Sequence, residues 1–553
     1  MHSNKKSLLS IPNTDISKLH HIVENYSNRE APNLILHSTF NKGVKLGSSA
    51  INNIGIMIAE PSQRLFSAYQ AIKKSRPEEN VSFREFYSSP VRRNLYSKIL
   101  SGINLDDIGF IGVRNSFSKS VLMMSDWLHC RLYRLPHNLI GEQSEYSKIP
   151  SDAQAEIESL HAKDYELYRK VISTFEQRWE KYQERFCFYC DTKQKIKIHV
   201  GPPKTGTSAI QAWLNKNHEE LVSEGVFYPN HSSDRNGVSS GNFERLISIE
   251  QSNIGANDKS KSCSYFDDEK AKALLKDFRE SSCDTLLLSS EHFFYYLIWL
   301  FSRFAGAEFI FYVRNPLAIV ESSFHQEVKR HNRTNAFFIP KSLGFNNLEF
   351  IKQLEEEFGV YVTYRYFDND QFVDGNLLSD FSSTVGLQLP TPKNAVRLNT
   401  QYSPGAITLM LKCNAFASEK LRKELDMFLQ RDSESVPAFS FIEPMEFAEI
   451  QTKIMHQANI LANCGDGLSK SAMSSLVLHY KKPPTVTESE RNRDFLRVIG
   501  TITKTQRSLA RRLRKECRKS LHIDGAFEIY QHLKLDWSSR FRECITCIFS
   551  KSD

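Results

Sequence analysis

Residues 199–211, HVGPPKTGTSAIQ, join two runs of different period. Lys195, Ile196, Lys197, Ile198, His199 and Val200 alternate or are β-branched, which predicts a strand. Ala209, Ile210, Trp213 and Leu214 recur at helical spacing, which predicts a helix. A strand–loop–helix junction presents unpaired main-chain N–H groups at a positive helix end, and these bind anions. Gly206 lets a ligand approach the backbone closely. Lys204 adds a full charge, and Thr205, Thr207 and Ser208 add hydroxyl donors. Phosphate or sulfate is the expected ligand chemistry.

The order of residues in the loop narrows the choice. A nucleoside-triphosphate loop reads G-x-x-x-x-G-K-[ST]. Gly201 and Gly206 have that spacing, but Thr207 stands where the lysine belongs, and Lys204 lies before the glycine. Hydrolysis of ATP through the standard loop is therefore disfavoured. The run Pro203, Lys204, Thr205, Gly206, Thr207, Ser208 resembles the 5′-phosphosulfate loop of sulfotransferases. That family uses 3′-phosphoadenosine 5′-phosphosulfate (PAPS) as donor.

A second segment supplies a second anion-binding group. In AEFIFYVRNPLAIVESSFHQEVKR, residues 307–330, Phe309 to Val313 read as a buried strand, and Arg314 ends it. Pro316 is a favoured early-helix residue, and Ser322 follows Arg314 by eight positions. An arginine at a strand end makes forked, charge-assisted contacts with phosphate. The pair resembles the 3′-phosphate motif of sulfotransferases. Gln326 and Lys329 fit an S-x-x-x-Q-x-x-K run of bacterial members and are candidate substrate contacts.

Between the two lies DTLLLSSEHFF, residues 284–294, an apolar strand ending in Ser289, Ser290, Glu291 and His292. The resemblance includes an S-S-E here. In doubly wound sheets ligands gather at the carboxyl ends of strands. Lys204, Glu291 and Arg314 are thus expected at three converging strand ends. Sulfuryl transfer needs a base for the acceptor proton and a cation for the leaving oxygen. Glu291 is the expected base and Lys204 the expected cation. His292 is a reserve base, expected to point away from Glu291, because neighbouring strand residues alternate faces. His199 is expected to pack within its strand. No metal is required, since the leaving group is a nucleotide bisphosphate. The resemblance extends over about residues 194–415. It includes VRLNTQYSPGAITLMLKCN, residues 396–414, which adds Arg397 and Asn399 as candidates for the nucleotide site.

These segments need a scaffold. The chain has 553 residues, enough for two to four domains. The expected fold is α/β: a P-loop-like, three-layer sulfotransferase domain with a central parallel sheet over residues 191–415. A partial copy precedes it (1–190), and a mostly helical, basic region follows (416–553). The copy starts from NIGIMIAEPSQRLFSAYQAIKK, residues 53–74, which has the same strand–proline–helix shape as the Arg314 segment. It resembles a carbohydrate-sulfotransferase run at Pro61, Arg64, Ser67, Ala68 and Tyr69. Ala59 stands where the phosphate-binding arginine belongs, and Glu60 follows. No loop of the Lys204 type precedes it: LILHSTFNKGVKLGSSA lacks the K-T-G-T order. A later stripe of Tyr165, Tyr168, Ile172, Phe175, Trp179, Tyr182 and Phe186 predicts a long amphipathic helix. The front third reads as a degenerate pseudo-domain that binds acceptor or mediates assembly. The rival reading is a domain completed by a strand from a second chain.

Bulk composition sets limits. Hydrophobic content of 40% and charged content of 25% are those of a globular protein. The net charge of +8, from 72 basic and 64 acidic residues, suits anionic ligands without implying nucleic acid. The first residues, MHSNKKSLLSIPNTDISK, lack the apolar run of a secretory leader. The most apolar stretch, FFYYLIWLFSRFAGAEFIFYV, is too interrupted for a membrane span. With ten cysteines and no leader, a cytoplasmic protein is expected. Cys187/Cys190 and Cys544/Cys547 form two CxxC pairs, read as thiols rather than a zinc site because they lie far apart. In TKTQRSLARRLRKECRKSLH, residues 503–522, Arg507, Arg511, Arg514 and Arg518 share a helix face. That face reads as solvated, with an anionic glycan or a membrane surface as the alternative partner. KKPPTVTESER, residues 481–491, reads as a linker, since prolines stop helices.

The expected function is transfer of a sulfuryl group from PAPS to a hydroxyl of a carbohydrate, such as a polysaccharide or glycan precursor. One alternative is a kinase-like P-loop nucleotide enzyme, which would bind ATP with Mg²⁺. The other is a non-catalytic glycan-binding scaffold of decayed domains.

Overall fold

The computed structural model describes residues 54–78, 80–129, 151–189, 195–231, 240–251, 262–391, 401–433, 436–463 and 467–533. It adds the short strands Leu9–Ser10 and Leu34–Leu36 and the single residues Leu132 and Ile149.

The front domain is a parallel sheet, β1 (Leu9–Ser10), β2 (Leu34–Leu36), β3 (Ile54–Ile58) and β4 (Phe110–Val113), in that order. Pro61 starts α1 (Pro61–Ser75) at a position where its missing N–H costs nothing. Among the helices that follow β4 are α2 (Phe117–Trp127) and α3 (Ala162–Phe186). The amphipathic stripe of α3 is buried at Tyr165, Phe175, Trp179 and Tyr182. It serves two domains at once. Trp179 meets Phe358 edge-on at 5.7 Å, and Tyr182 accepts a hydrogen bond from Arg303 at 2.8 Å.

The middle domain is a five-stranded, all-parallel sheet. Its elements are β5 (Lys195–Val200), α4 (Thr207–Lys216), β6 (Val226–Phe227), an antiparallel hairpin β7 (Ile247–Gln251) and β8 (Ser262–Phe266), and α5 (Asp268–Glu280). Then come β9 (Thr285–Ser290), α6 (Leu297–Arg303), β10 (Glu308–Val313), α7 (Pro316–Arg330), α8 (Asn346–Phe358), β11 (Tyr361–Tyr366) and α9 (Leu377–Val385). The strand order is β6-β9-β5-β10-β11. From β5 the chain goes to the edge strand β6, returns to β9 beside β5, and then crosses to β10 and β11, so the connections that leave the neighbours β5 and β9 run in opposite directions. A crevice opens at such a reversal, outside the carboxyl ends of the strands. Ile196, Ile198, Phe309 and Phe311 point into one core layer. Leu287, Ile310 and Tyr312 point into the other, against Ile210, Trp213 and Phe381. The apolar stretch 293–313 is divided between α6 and β10, and Arg303 within it is buried in an ion pair with Asp268 at 3.0 Å. Among the described residues no helix is long and apolar enough to cross a membrane.

The C-terminal region is helical and packs on the middle domain. Ile442, Ile454, Met473 and Val477 belong to the same core as β5 and β10, which also takes in Ile56 and Phe110 of the front sheet. Helices α10 (Pro404–Cys413), α11 (Glu488–Thr505) and α12 (Arg507–Lys519) close a second core around Phe324 and Val328 of α7. Residues 481–491 do not form a free linker. The preceding helix, Lys470–Leu478, ends before the two prolines, where His479 N donates to Ser475 O; Pro484 O accepts from Ser440 N at 3.0 Å, and Lys482 Nζ donates to Ile442 O at 3.1 Å. A Thr487/Glu490 capping box then starts α11. On α12, Arg507, Arg511 and Arg518 are exposed, but Arg514 folds inward over the Tyr530 ring at 4.2 Å, because the helix Asp524–His532 returns alongside.

Candidate anion-binding site

The loop after β5 sits at the point of reversal. Lys204 and Gly206 both take left-handed backbone angles, φ 78° and 77°. A side chain at Gly206 would collide: its Cβ would lie 2.3 Å from Leu377 Cδ2 and 2.9 Å from Phe367 Cε2. Lys204 tolerates the same region only at a cost of about 1 kcal/mol or more, a form of strain that clusters at ligand-binding sites. Thr205 Oγ1 donates to Pro202 O at 2.9 Å, closing the turn. Thr207, 3% exposed, is the first residue of α4, and its Oγ1 is buried without a hydrogen-bond partner. Ser208 is half-buried on the same turn. An orphaned hydroxyl beside open helix N–H groups is a place for an anion.

Neighbouring strands bring in the rest. Register pairs Val200 with Ser290 and His199 with Ile310, so the ends of β5, β9 and β10 lie side by side. Arg314 follows β10. Its guanidinium donates to the Lys204 carbonyl and stacks over Phe367 at 4.8 Å. Among the described residues, neither Lys204 nor Arg314 forms an ion pair with a carboxylate. Burial pulls the Lys204 ammonium down to about 8; Glu291 opposes that shift and Arg314 adds to it. Burial likewise brings Arg314 down to about 10, with Tyr480 acting against it. These are desolvated cations in want of an anion.

Glu291 follows β9 and is half-buried, within electrostatic reach of Lys204. His292 turns its ring onto Phe243 at 4.8 Å. His199 is fully buried, bonds Ser289 Oγ at 2.9 Å, and is held down to about 3 by burial, which suits a packed residue. On α7, Asn315 caps the helix by accepting from Leu317 N at 2.9 Å. Ser322, Gln326 and Lys329 are half-buried along it. Burial lowers Lys329 to about 8; Asp426 opposes this, and Arg330 and Lys204 reinforce it. Beside Arg314 opens a cavity of 400 Å³, walled by Pro202, Phe324, Phe338, Pro340 and Phe345. It has room for a nucleoside or a monosaccharide. Arg397 and Asn399 lie outside the described residues, as do Cys190, Cys544 and Cys547. Among the described residues no group of His, Cys, Asp and Glu is placed to hold a metal ion.

Sequence reasoning passed over His325, Phe367, Gln401 and Tyr480. His325 had a signal, since it stands three residues after Ser322 and four before Lys329 on one helix. The others come from distant segments and carry no local mark.

The corresponding strand end in the front domain is closed. Like α7, α1 runs 15 residues from a proline. At the end of β3, however, Ala59 N donates to Tyr96 OH at 3.3 Å, and Glu60 Oε1 accepts from Gln154 at 3.1 Å and Tyr165 at 3.4 Å. Arg64 turns inward to Asp164 at 3.3 Å and lies over the Tyr96 ring at 4.5 Å.

Comparison with known protein families, with characterised proteins and with solved structures finds no match to this chain.

Proposed function

We propose that the middle domain is a PAPS-dependent sulfotransferase that acts in the cytosol on a carbohydrate hydroxyl, of a polysaccharide or a glycan precursor. The observation that carries this reading is the meeting of Lys204 and Arg314. Both cations are desolvated, neither pairs with a carboxylate among the described residues, and the orphaned Thr207 hydroxyl lies in the same loop. The lysine lies before Gly206, which separates this loop from the nucleoside-triphosphate pattern. A three-layer α/β domain with that loop at its point of reversal is what the family resemblance implies.

In this reading the donor supplies an activated sulfuryl group. Main-chain N–H groups of residues 206–208 and the Thr207 and Ser208 hydroxyls hold its 5′-phosphosulfate, with Pro203 and Thr205 shaping the turn. Arg314 and Ser322 hold the 3′-phosphate. Glu291 takes the acceptor proton as the acceptor oxygen bonds to sulfur. The bond from sulfur to the bridging oxygen breaks, and Lys204 balances the charge that the bridging oxygen gains. Gln326 and Lys329 lie along α7 for contact with substrate. The front domain lacks the donor residues at β3, and its α3 packs along the middle domain as a buttress.

Calorimetric titration with 3′-phosphoadenosine 5′-phosphate, beside ATP with Mg²⁺, tests the reading on wild type and Arg314→Ala. Binding of the bisphosphate that is lost in the variant and absent for ATP is expected. A folded wild type that binds ATP–Mg²⁺ instead supports the kinase-like alternative, and one that binds neither supports the scaffold.

A further inference from the structure

An imidazole on α7 stands among the same cations. His325 is 8% exposed. It shares a helix face with Ser322, one turn before, and Lys329, one turn after. Phe439 and Phe441, from a segment that crosses α7, pack on its ring at 5.5 and 5.8 Å. That segment is tied down where Glu321 accepts from Ser440 Oγ at 2.6 Å and Phe441 N at 2.9 Å. The ring is thus held against that segment.

Its two nitrogens differ. Nε2 lies 3.3 Å from the side-chain nitrogen of Gln401. An amide nitrogen only donates, so Nε2 accepts and the ring proton resides on Nδ1. Nδ1 is buried and has no hydrogen-bond partner. Burial holds the ring neutral, and the positive charges of Lys329 and Lys204 act in the same direction. A neutral ring among cations adds a donor without adding a third charge, and a buried donor without a partner is costly to keep.

We propose that His325 is a further anion-contacting residue of this site: its Nδ1–H donates to a non-bridging oxygen of the phosphosulfate held by the Lys204 loop, and Gln401 fixes the tautomer. The inference rests on the reading of the loop as a donor site.

Two variants separate the donor from the packing. His325→Gln keeps an N–H, while His325→Phe fills the aromatic cage without one. Both are titrated with 3′-phosphoadenosine 5′-phosphate and with PAPS. The Phe variant is expected to bind PAPS about tenfold more weakly, the loss of one hydrogen bond to a charged group, with the Gln variant close to wild type. Equal weakening toward the bisphosphate places the contact on the 5′-phosphate; weakening toward PAPS alone places it on the sulfonate. If wild type binds both ligands and the Phe variant matches it, His325 has no such role while the donor reading stands. If wild type binds neither, both fall together. Should the Phe variant fail to fold, the wild-type ring decides: an Nδ1–H proton resonance that shifts on adding the bisphosphate or PAPS supports the contact, and one that is unmoved by both overturns it.

Discussion

Arg314 donates to the main-chain carbonyl of Lys204, 110 residues earlier in the chain. The bond joins the end of β10 to the one non-glycine residue of the loop that holds a left-handed backbone angle. The arginine therefore has two tasks. In the proposed reading it offers charge to a ligand, and it holds the loop in the shape that presents Lys204.

A lysine at position 314 would keep the charge and lose the planar fork. Arg314→Lys is expected to weaken binding of 3′-phosphoadenosine 5′-phosphate by about 10- to 100-fold, since a compact ammonium lacks the planar fork that spans the Lys204 carbonyl and a phosphate at once. Thermal stability should change little, because the variant still buries one cation. Calorimetry beside a melting curve checks both halves. A Lys variant that binds like wild type removes the bidentate role.

The lowered Lys204 value is expected to make the proposed anion binding pH-dependent. Below about 8 the free side chain is charged; above it, burial favours the neutral amine. A bound anion favours the ammonium, so binding must take up a proton above about pH 8. Affinity is expected to fall as pH rises from 8 toward 10. Calorimetric heats at pH 9 should depend on the ionisation enthalpy of the buffer, with the sign of proton uptake. Lys204→Arg should shift the fall to higher pH. Heats independent of buffer would leave Lys204 outside the site.

Local periodicity made part of this legible. The alternation over 195–200, the helix that opens at Thr207 and the proline-led helices after Ala59 and Arg314 are all written within one turn or one strand of sequence. So is the stripe of α3, whose aromatic spacing leaves no choice of face. The order of strands was less accessible, because nothing local says that β9 and β10 flank β5. The surroundings of the site were not accessible at all. Phe367, Gln401, Phe439 and Tyr480 reach it from four separate segments, and each looks like an ordinary core or loop residue where it stands. The two prolines at 483 and 484 misled for a related reason. The helix before them already stops at Leu478, and their carbonyls still accept: Ser440 N uses that of Pro484.

The front domain carries its own test of buried charge. Arg64 and Asp164 are 5% and 0% exposed, and Asp164 also accepts from Ser97 N at 2.9 Å. Asp164→Ala strands the guanidinium in the core and is expected to cost about 3 kcal/mol or more. Replacing both partners, Arg64→Met with Asp164→Leu, should recover most of that loss, because desolvation of the pair offsets much of its attraction. Denaturant midpoints of the single and double variants decide it. A double variant no more stable than the single would assign the loss to the Ser97 contact instead.

Glu357, at the end of α8, caps a helix of the other domain. Its Oε1 accepts from Lys119 N, in the first turn of α2, at 2.8 Å. Burial raises the carboxyl to about 6, while the Lys119 amide pulls the other way. The folded value thus lies above the unfolded one, near 4.5. Between these values the folded state binds more protons, so stability falls as pH rises through the window and levels off above about 6. A shift of that size corresponds to about 2 kcal/mol at neutral pH. Glu357→Gln keeps a carbonyl acceptor for Lys119 and removes the buried charge. It is expected to raise stability at pH 7.5 by up to about 2 kcal/mol and to have little effect below pH 5. Unfolding midpoints at the two pH values measure the difference. A Gln variant less stable than wild type at pH 7.5 would mean that the carboxylate's attraction to the α2 terminus outweighs its burial, and that the two domains are joined there by charge.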